Sequence, residues 1–201
     1  MRVSAIMDAA NQLFAERDFD AVTMTEIAAR SGTAIGSLYR FFPSKAAVAE
    51  ALLERYGARI DAGLRQLGEG PGLAPGNIAD ALADFMLALG ADRAAAIALI
   101  EAHTDTGIMR QKIRGAMLRR ISALLCRAFP GLGRGDAEIK AATLLHLLKS
   151  LAAAQDGPAG VSAELRDVMR RYVAGLQTGL NAQPMESRYT FDDATQPPNL
   201  A

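Results

Sequence analysis

Apolar residues recur along most of the chain at spacings of three and four positions, which is the period of an α-helix. The first such stripe consists of Ile6, Ala9, Ala10, Leu13 and Phe14. No segment alternates apolar and polar residues in the way that a half-buried strand does. The pattern therefore predicts an all-α fold whose first helix spans about residues 3–17.

The second predicted helix is short and has clear ends. Thr23 and Glu26 have the spacing of a capping box, in which each side chain bonds the other residue's backbone N–H, so a helix begins at this threonine. Gly32 then supplies the backbone freedom for a sharp turn. We expect Asp18, just after the first helix, to adopt the left-handed conformation that often ends a helix.

A third predicted helix, over about residues 35–41, follows the glycine turn. Pro43 cannot continue it, and Ser44 is a suitable N-cap for a long fourth helix. A helix, a glycine turn and a second helix form a helix-turn-helix, whose second helix enters the major groove of DNA. On periodicity alone, a three-helix packing corner without DNA contact explains these residues equally well.

The start of this third helix suits contact with DNA, because a large side chain there would hold the backbone away from the base edges. Small or polar side chains occupy the positions Thr33, Ala34, Gly36 and Ser37. Ile35 can contact a thymine methyl group. A hydroxyl and two cations for phosphate oxygens follow at Tyr39, Arg40 and Lys45. Leu38, Phe41 and Phe42 are expected to face inward and anchor the helix.

The remainder of the chain is also predicted to be helical. The glycine- and proline-rich residues 67–76 predict a loop. Further helices are predicted over about residues 75–89, 92–103, 107–128, 136–155 and 162–181. The last residues lose periodicity and are expected to be mobile. The predicted domains are a helix-turn-helix domain at 1–46, a larger helical domain at 47–182 and a flexible tail at 183–201.

Overall charge gives no indication of a partner, since 22 Lys and Arg balance 22 Asp and Glu. Residues 23–45 carry three cations against one carboxylate, so any basic surface is small and useful DNA affinity requires a dimer. The single cysteine, Cys126, is expected to be a buried structural thiol and fits a reducing cytoplasm. No membrane-spanning segment is predicted.

Enzymatic activity is not predicted. Two distant histidines, one cysteine and no paired carboxylates provide no nucleophile-base pair and no metal site, so we expect no metal and no cofactor. The segment GLGRGD at 131–136 has the wrong glycine spacing for a phosphate loop. An all-helical ligand-binding or partner-binding module without DNA activity remains an alternative.

Residues 6–52 resemble the N-terminal DNA-binding domain of the TetR family of bacterial transcriptional repressors. The resemblance rests on DAA and LFAER in the first helix, the threonine before EIA, the SG turn and GSLYRFFPSK. It implies a homodimer that binds double-stranded operator DNA in successive major grooves and is released by a small-molecule effector. It also implies phosphate contacts by Tyr39 and Lys45. The positions that it places against DNA are Thr25, Ala34, Ile35 and Ser37, with Thr23 as a capping residue.

Three features depart from that family's pattern. Asp18 stands where the family usually has glycine, and a single Arg2 replaces the basic arm that most members carry before the first helix. Ala34 and Ile35 replace a commoner polar pair. We therefore expect fewer hydrogen bonds to base edges and more contact through shape and methyl groups.

The C-terminal helices supply predictions for the dimer and the effector. Residues 137–155 are apolar almost all round, so they should be buried on more than one side. With the last helix they could form half of a four-helix bundle completed by a second copy, although burial within one subunit is the alternative. The predicted dimer residues are Leu144, Leu148, Leu151, Leu165, Met169, Tyr172 and Leu176.

The resemblance implies an effector pocket, and we expect the middle helices to form it for a lipophilic or aromatic ligand, with methionine side chains that adapt to an irregular cavity. The candidate lining residues are Phe85, Met86, His103, Met109, Ile113 and Met117. Packing in the core is the alternative for each of these residues. A run of cations also lies on the predicted helix over 107–128, and we interpret it as a solvated face, with a second polyanion site as the alternative. Its members are Arg110, Lys112, Arg114, Arg119, Arg120 and Arg127.

Overall fold

The computed structural model describes residues 2–70, 73–102 and 107–180, except the side chains of residues 156 and 177–180. These residues contain nine α-helices and no strand, so the predicted all-α fold is confirmed. The helices are α1 (Arg2–Glu16), α2 (Met24–Arg30), α3 (Ile35–Phe41), α4 (Lys45–Glu69), α5 (Ile78–Ala88), α6 (Gly90–Ala102), α7 (Gly107–Ala128), α8 (Arg134–Ala153) and α9 (Val161–Leu180). Within this part of the chain, no helix combines the length and the apolar character needed to cross a bilayer.

Local signals placed most helix ends correctly, and two expectations were wrong. The helix α4 continues to Glu69, past the predicted start of the loop at residue 67. The Arg127 guanidinium donates a hydrogen bond to the Gly68 carbonyl in the last turn of α4. Asp18 has φ −55° and ψ 144°, so it is not left-handed. The chain leaves α1 in an extended conformation and forms a short 3-10 turn at Phe19–Ala21 instead. The predicted tail, residues 183–201, lies outside the described residues.

Two apolar cores form the interior, and α4 contributes to both. The N-terminal core combines side chains of α1, α2, α3 and the first half of α4 with Ala95, Ala96 and Leu99 of α6. The C-terminal core combines Ile60 and Leu64 of α4 with α5, α7, α8 and α9. The domain boundary that we predict at residue 46 therefore stays a prediction, because the N-terminal core extends beyond it along α4 and into α6.

Polar contacts also join α6 to the N-terminal half of the molecule. The helix packs along α1, where the buried Asn11 side chain donates a hydrogen bond of 2.7 Å from Nδ2 to Oδ1 of Asp92. The other carboxylate oxygen of Asp92 forms an ion pair with Arg59 of α4. One carboxylate thus connects α1, α4 and α6.

Most of the predicted dimer residues belong to the core of a single chain. The side chains of Leu144, Leu148, Leu151, Met169 and Leu176 are buried in the C-terminal core. Leu165 and Tyr172 are half-buried against the same core. The five buried side chains have almost no surface left to offer a second copy, so assigning them to the dimer interface was wrong. These five side chains follow the alternative that we gave, burial within one subunit. Cys126 is half-buried rather than fully buried.

Candidate nucleic-acid interface and internal cavity

A complete capping box fixes the start of α2. The Thr23 hydroxyl accepts a hydrogen bond of 3.2 Å from the Glu26 amide, and Oε2 of Glu26 accepts from both the Thr23 amide and its hydroxyl at 2.8 Å. Arg17 of α1 forms an ion pair of 2.7 Å with the same carboxylate. Hydrogen bonds from Arg17 and Thr23 lower the pKa of Glu26 from its ordinary 4.5 to about 2. The start of α2 is thereby tied to the end of α1.

The turn between α2 and α3 depends on a left-handed glycine. Gly32 has φ 62°, a conformation that is strained for any residue with a Cβ. The next amide, that of Thr33, donates a hydrogen bond of 2.9 Å back to the Ala28 carbonyl. These two features set the angle at which α3 leaves α2.

The buried side of α3 is narrower than we predicted. Leu38 is fully buried and Phe42 nearly so, as expected, but Phe41 is 46% exposed. Phe42 has already left the helix, with φ −133° and ψ 103°, and this extended backbone turns its ring inward. Phe41 remains on the outer side of the last helical turn, so the expectation that it anchors α3 was wrong.

Most of the predicted DNA-contacting side chains lie on the surface of α2 and α3. Seven are exposed, namely Thr23, Thr25, Ala34, Ile35, Gly36, Tyr39 and Arg40. Three are half-buried, namely Thr33, Ser37 and Lys45. Arg2 of α1, which we had not assigned to the site, lines a groove of about 370 Å³ together with Thr33, Ala34 and Ser37. The groove brings a cation beside the start of α3.

Ion pairing leaves few free cations on this surface. Arg17 and Arg30 are paired with Glu26 and Glu16, and Arg55 is paired with Asp8. Arg2 and Arg40 form no ion pair with another residue in the described part of the chain. These two guanidinium groups are the ones available for phosphate oxygens without breaking an internal contact.

Lys45 is engaged inside the chain. Its ammonium group donates hydrogen bonds to the carbonyls of Phe19 (2.7 Å), Val22 (2.8 Å) and Asp20 (3.3 Å), and it lies 4.3 Å from the centroid of the Phe19 ring. In this geometry Lys45 holds the 3-10 turn between α1 and α2 against the start of α4. Its contact with a phosphate stays a prediction.

A cavity of about 610 Å³ lies between the two cores, where α4, α5, α6, α7 and α8 meet. Three of the six predicted effector residues line it, namely Met86, Ile113 and Met117. Phe85 lies instead in a separate groove beside Gly63 of α4, and Met109 packs against both cores without lining the cavity. His103 falls outside the described residues.

The cavity also has a charged rim that we did not predict from the sequence. Arg93, Arg110, Arg114 and Lys149 line it, with Glu101 as the carboxylate among them. We had interpreted the cations of α7 as a solvated face. The sequence signal that could have shown this rim is the pair of arginines four positions apart on α7, but a partner on α6 and one on α8 cannot be read from local spacing.

The chain is similar to known proteins in the sequence of its N-terminal part and in its overall fold. Residues 6–52 match the sequence profile described as "Bacterial regulatory proteins, tetR family". In this N-terminal segment the chain is similar to the TetR family.

Individual relatives match either the N-terminal part or the fold. The transcriptional repressor KstR of Mycobacterium tuberculosis is 39% identical over 61 residues, which are 30% of this chain and 28% of KstR. The chain thus matches less than a third of the length of that relative. A transcriptional regulator from Pseudomonas aeruginosa has the same fold, with a TM-score of 0.70, 21% identity and coverage of 89% and 91% of the two chains. FadR of Bacillus subtilis, solved with stearoyl-CoA, also has this fold, with a TM-score of 0.60 and 18% identity. The match covers 88% of this chain and 98% of FadR.

The capping box at the start of α2 should make the stability of the protein depend on pH through Glu26. The folded state favours the charged form of Glu26. The carboxylate therefore contributes fully to the free energy of unfolding above its ordinary pKa of 4.5, and this contribution is lost as the pH falls through about 2. We expect Glu26→Gln to lower the Tm at pH 7, and the difference from the parent protein to vanish as the pH approaches 2. Glutamine can still accept from the Thr23 amide, so the comparison isolates the charge.

Thermal unfolding followed by circular dichroism between pH 2 and pH 7 measures this difference. Glu50→Gln is the matched control, because Glu50 is exposed on α4 and has no ion pair with a described residue. A Tm difference for Glu26→Gln that stays constant across the pH range would contradict the prediction.

The internal contacts of Lys45 predict that loss of this cation lowers stability, whereas loss of an exposed cation does not. Lys45→Met should lower the free energy of unfolding by about 1 to 3 kcal/mol, because three carbonyls lose a charged donor. Arg40→Met removes an exposed cation without an ion pair and should leave stability unchanged. Urea denaturation of both variants is the measurement, and equal stabilities for the two would show that Lys45 has no structural role.

Proposed function

We propose that this chain is a transcriptional regulator that binds operator DNA as a homodimer and is released from it by a small-molecule effector. The observation that carries the proposal is the outer side of α3. Its first turn presents Ala34, Ile35 and Gly36 to solvent, while Leu38 alone fixes the middle of the helix in the core. A helix held in this way can enter a major groove without losing its internal packing.

Gly36 supports the proposal because nothing inside the chain requires a glycine there. Apart from the adjacent residues and the backbone of its own helix, a Cβ built on Gly36 would have no atom of the described residues within 4 Å. The residue is helical and exposed, and glycine in a helix costs about 0.5 to 1 kcal/mol relative to alanine. A residue that lowers stability without serving internal packing is explained if another molecule approaches the backbone closely at that point.

A dimer is proposed because one copy offers few contacts to phosphate. Arg2 and Arg40 are two cations, and affinity for DNA rises steeply with the number of neutralised phosphates. Two copies double that number and add the avidity of a linked second site. Twofold symmetry would also place two α3 helices in successive major grooves.

The exposed sides of α8 and α9 are the proposed dimer surface. Ile139 is 66% exposed on α8, and Val161 and Val168 are each 39% exposed on α9. The hydroxyls of Thr143 and Ser150 donate hydrogen bonds of 3.1 Å to carbonyls four residues earlier in α8. These hydroxyls are already satisfied, so covering this side of α8 would cost little in lost hydrogen bonds to water.

The cavity between the cores is the proposed effector site. It lies between helices that hold the DNA-binding unit and helices that form the C-terminal core, so an occupant would contact both. The related fold of FadR, which was solved with stearoyl-CoA, supports a ligand in such a protein. In this proposal the protein acts in the cytoplasm, without catalysis or a cofactor.

Gly36→Ala should separate stability from DNA affinity. We expect the variant to be more stable by about 0.5 to 1 kcal/mol, since alanine favours a helix. Its affinity for operator DNA should fall about tenfold or more, because the added methyl group lies between the helix and the base edges and one base contact is worth about 1 to 3 kcal/mol. Denaturation and fluorescence anisotropy, with a duplex selected from a random library, measure the two effects.

The control for Gly36→Ala is Gly135→Ala. Gly135 is also the second residue of a helix, and with the same exceptions a Cβ there would have no atom of the described residues within 4 Å. This control should gain stability without losing DNA affinity. Unchanged DNA affinity in Gly36→Ala would remove the main support for α3 as the reading helix.

The dimer proposal predicts that Ile139→Glu yields a monomer that folds normally. Its affinity for a two-site operator should fall by about a hundredfold or more, because the second site no longer contributes avidity. Sedimentation velocity and anisotropy measure the mass and the affinity. Ile108→Glu is the control, since Ile108 is 69% exposed on α7, a helix that is not part of the proposed surface. Persistence of the dimer in Ile139→Glu would exclude this side of α8 as the interface.

A further inference from the structure

The cavity between the two cores combines an apolar interior with cations at its edge. Met86, Ala96, Ile113 and Met117 are buried side chains that form its floor. Its volume of about 610 Å³ lies within the range of small-molecule sites, roughly 300–1,000 Å³. An apolar floor of this kind favours the hydrocarbon part of a ligand.

The four cations at the edge come from three different helices. Arg93 belongs to α6, Arg110 and Arg114 belong to α7, and Lys149 belongs to α8. The polar side of one amphipathic helix would not produce this arrangement, because its cations would share a single helix. Arg110 and Arg114 of α7 therefore converge with cations of two other helices on one space, while Lys112, Arg119 and Arg127 of the same helix are exposed, as expected for a solvated face.

No described residue forms an ion pair that balances the charge of these cations. Among the described residues, none of the four forms an ion pair or a side-chain hydrogen bond, and Glu101 is the carboxylate that lines the same space. Burial lowers the pKa of Lys149, and the positive charges of Arg114, Arg93 and Arg110 lower it further. Four like charges gathered around one cavity repel one another until an anion joins them.

Tyr56 adds a polar group on the side of α4. It lines the cavity, and burial raises the pKa of its phenol, so the group stays protonated at neutral pH. Its hydroxyl forms no hydrogen bond with another described residue, and it can donate one to a ligand.

From this geometry we infer that the effector is an amphipathic anion, with a single apolar chain on the cavity floor and a carboxylate or phosphate head held by Arg93, Arg110, Arg114 and Lys149. The inference rests on the proposed function, which places an effector in this cavity, and it narrows the class of that effector. Guanidinium groups bind carboxylate and phosphate through paired charge-assisted hydrogen bonds, so either head group suits the site.

The test compares three ligands with the same ten-carbon chain, namely decanoate, decyl phosphate and decanol. Isothermal titration calorimetry of the full chain without DNA, below the micelle concentration of each ligand, gives the affinities. We expect at least one of the two anions to bind about tenfold or more tightly than decanol, because only an anion engages the cations. The ratio between decanoate and decyl phosphate identifies the preferred head group.

Charge-neutralising variants then locate the head group. Arg114→Met and Lys149→Met should each weaken binding of the anion about tenfold and leave decanol binding unchanged. Arg119→Met is the control, because Arg119 is an exposed arginine of α7 that does not line the cavity. Circular dichroism and Tm establish that each variant is folded.

Two results would overturn the inference. One is decanol binding as tightly as both anions, and the other is an equal effect of Arg114→Met and Arg119→Met on anion binding. Absence of binding by all three ligands would overturn it as well. A separate measurement of DNA affinity distinguishes failure of this inference from failure of the proposed function. Failure of the ligand-free protein to bind any selected duplex would reject the proposed regulator while leaving the calorimetric selectivity intact.

Discussion

The architecture depends on the helix α4 being shared between two cores. Leu52 and Leu53 are buried in the N-terminal core, and Ile60 and Leu64 are buried about two turns later in the C-terminal core. A rigid helix that is packed at both ends transmits a rotation at one end to the other, because its interior contacts are close-packed and do not yield gradually. The position of α3 relative to the C-terminal helices is therefore set through α4.

Local chemistry allowed the sequence to predict the fold and the exposed start of α3, while features that depend on contacts between distant residues could not be predicted. The Thr23 capping box, the Gly32 turn and the Ser44 cap each involve residues within a few positions of one another. The burial of Leu144 by its own subunit and the position of Lys45 below Phe19 depend instead on residues far away in the chain. An apolar stripe shows that a side is covered, but not whether the same chain or a second copy covers it.

The candidate interface also shows where local preference and fold disagree. Gly36 weakens the short helix α3, and Ala34 caps it without a side-chain hydrogen bond. By contrast, α2 has a complete capping box and an ion pair to α1. The supporting helix α2 is thus strongly stabilised, and the exposed helix α3 is not. Natural proteins often give up local stability in this way at a surface that binds another molecule.

The cavity and the N-terminal core meet along α6, which would give the proposed effector a physical route to the proposed DNA-binding unit. Ile97 and Ile100 face the cavity, while Ala95 and Leu99 are buried in the N-terminal core. Asp92, at the start of this helix, bonds Asn11 of α1 and pairs with Arg59 of α4. A ligand that fits one position of α6 better than another would therefore shift α1 and α4 together. The size of that shift is limited by the ligand's difference in affinity for the two positions.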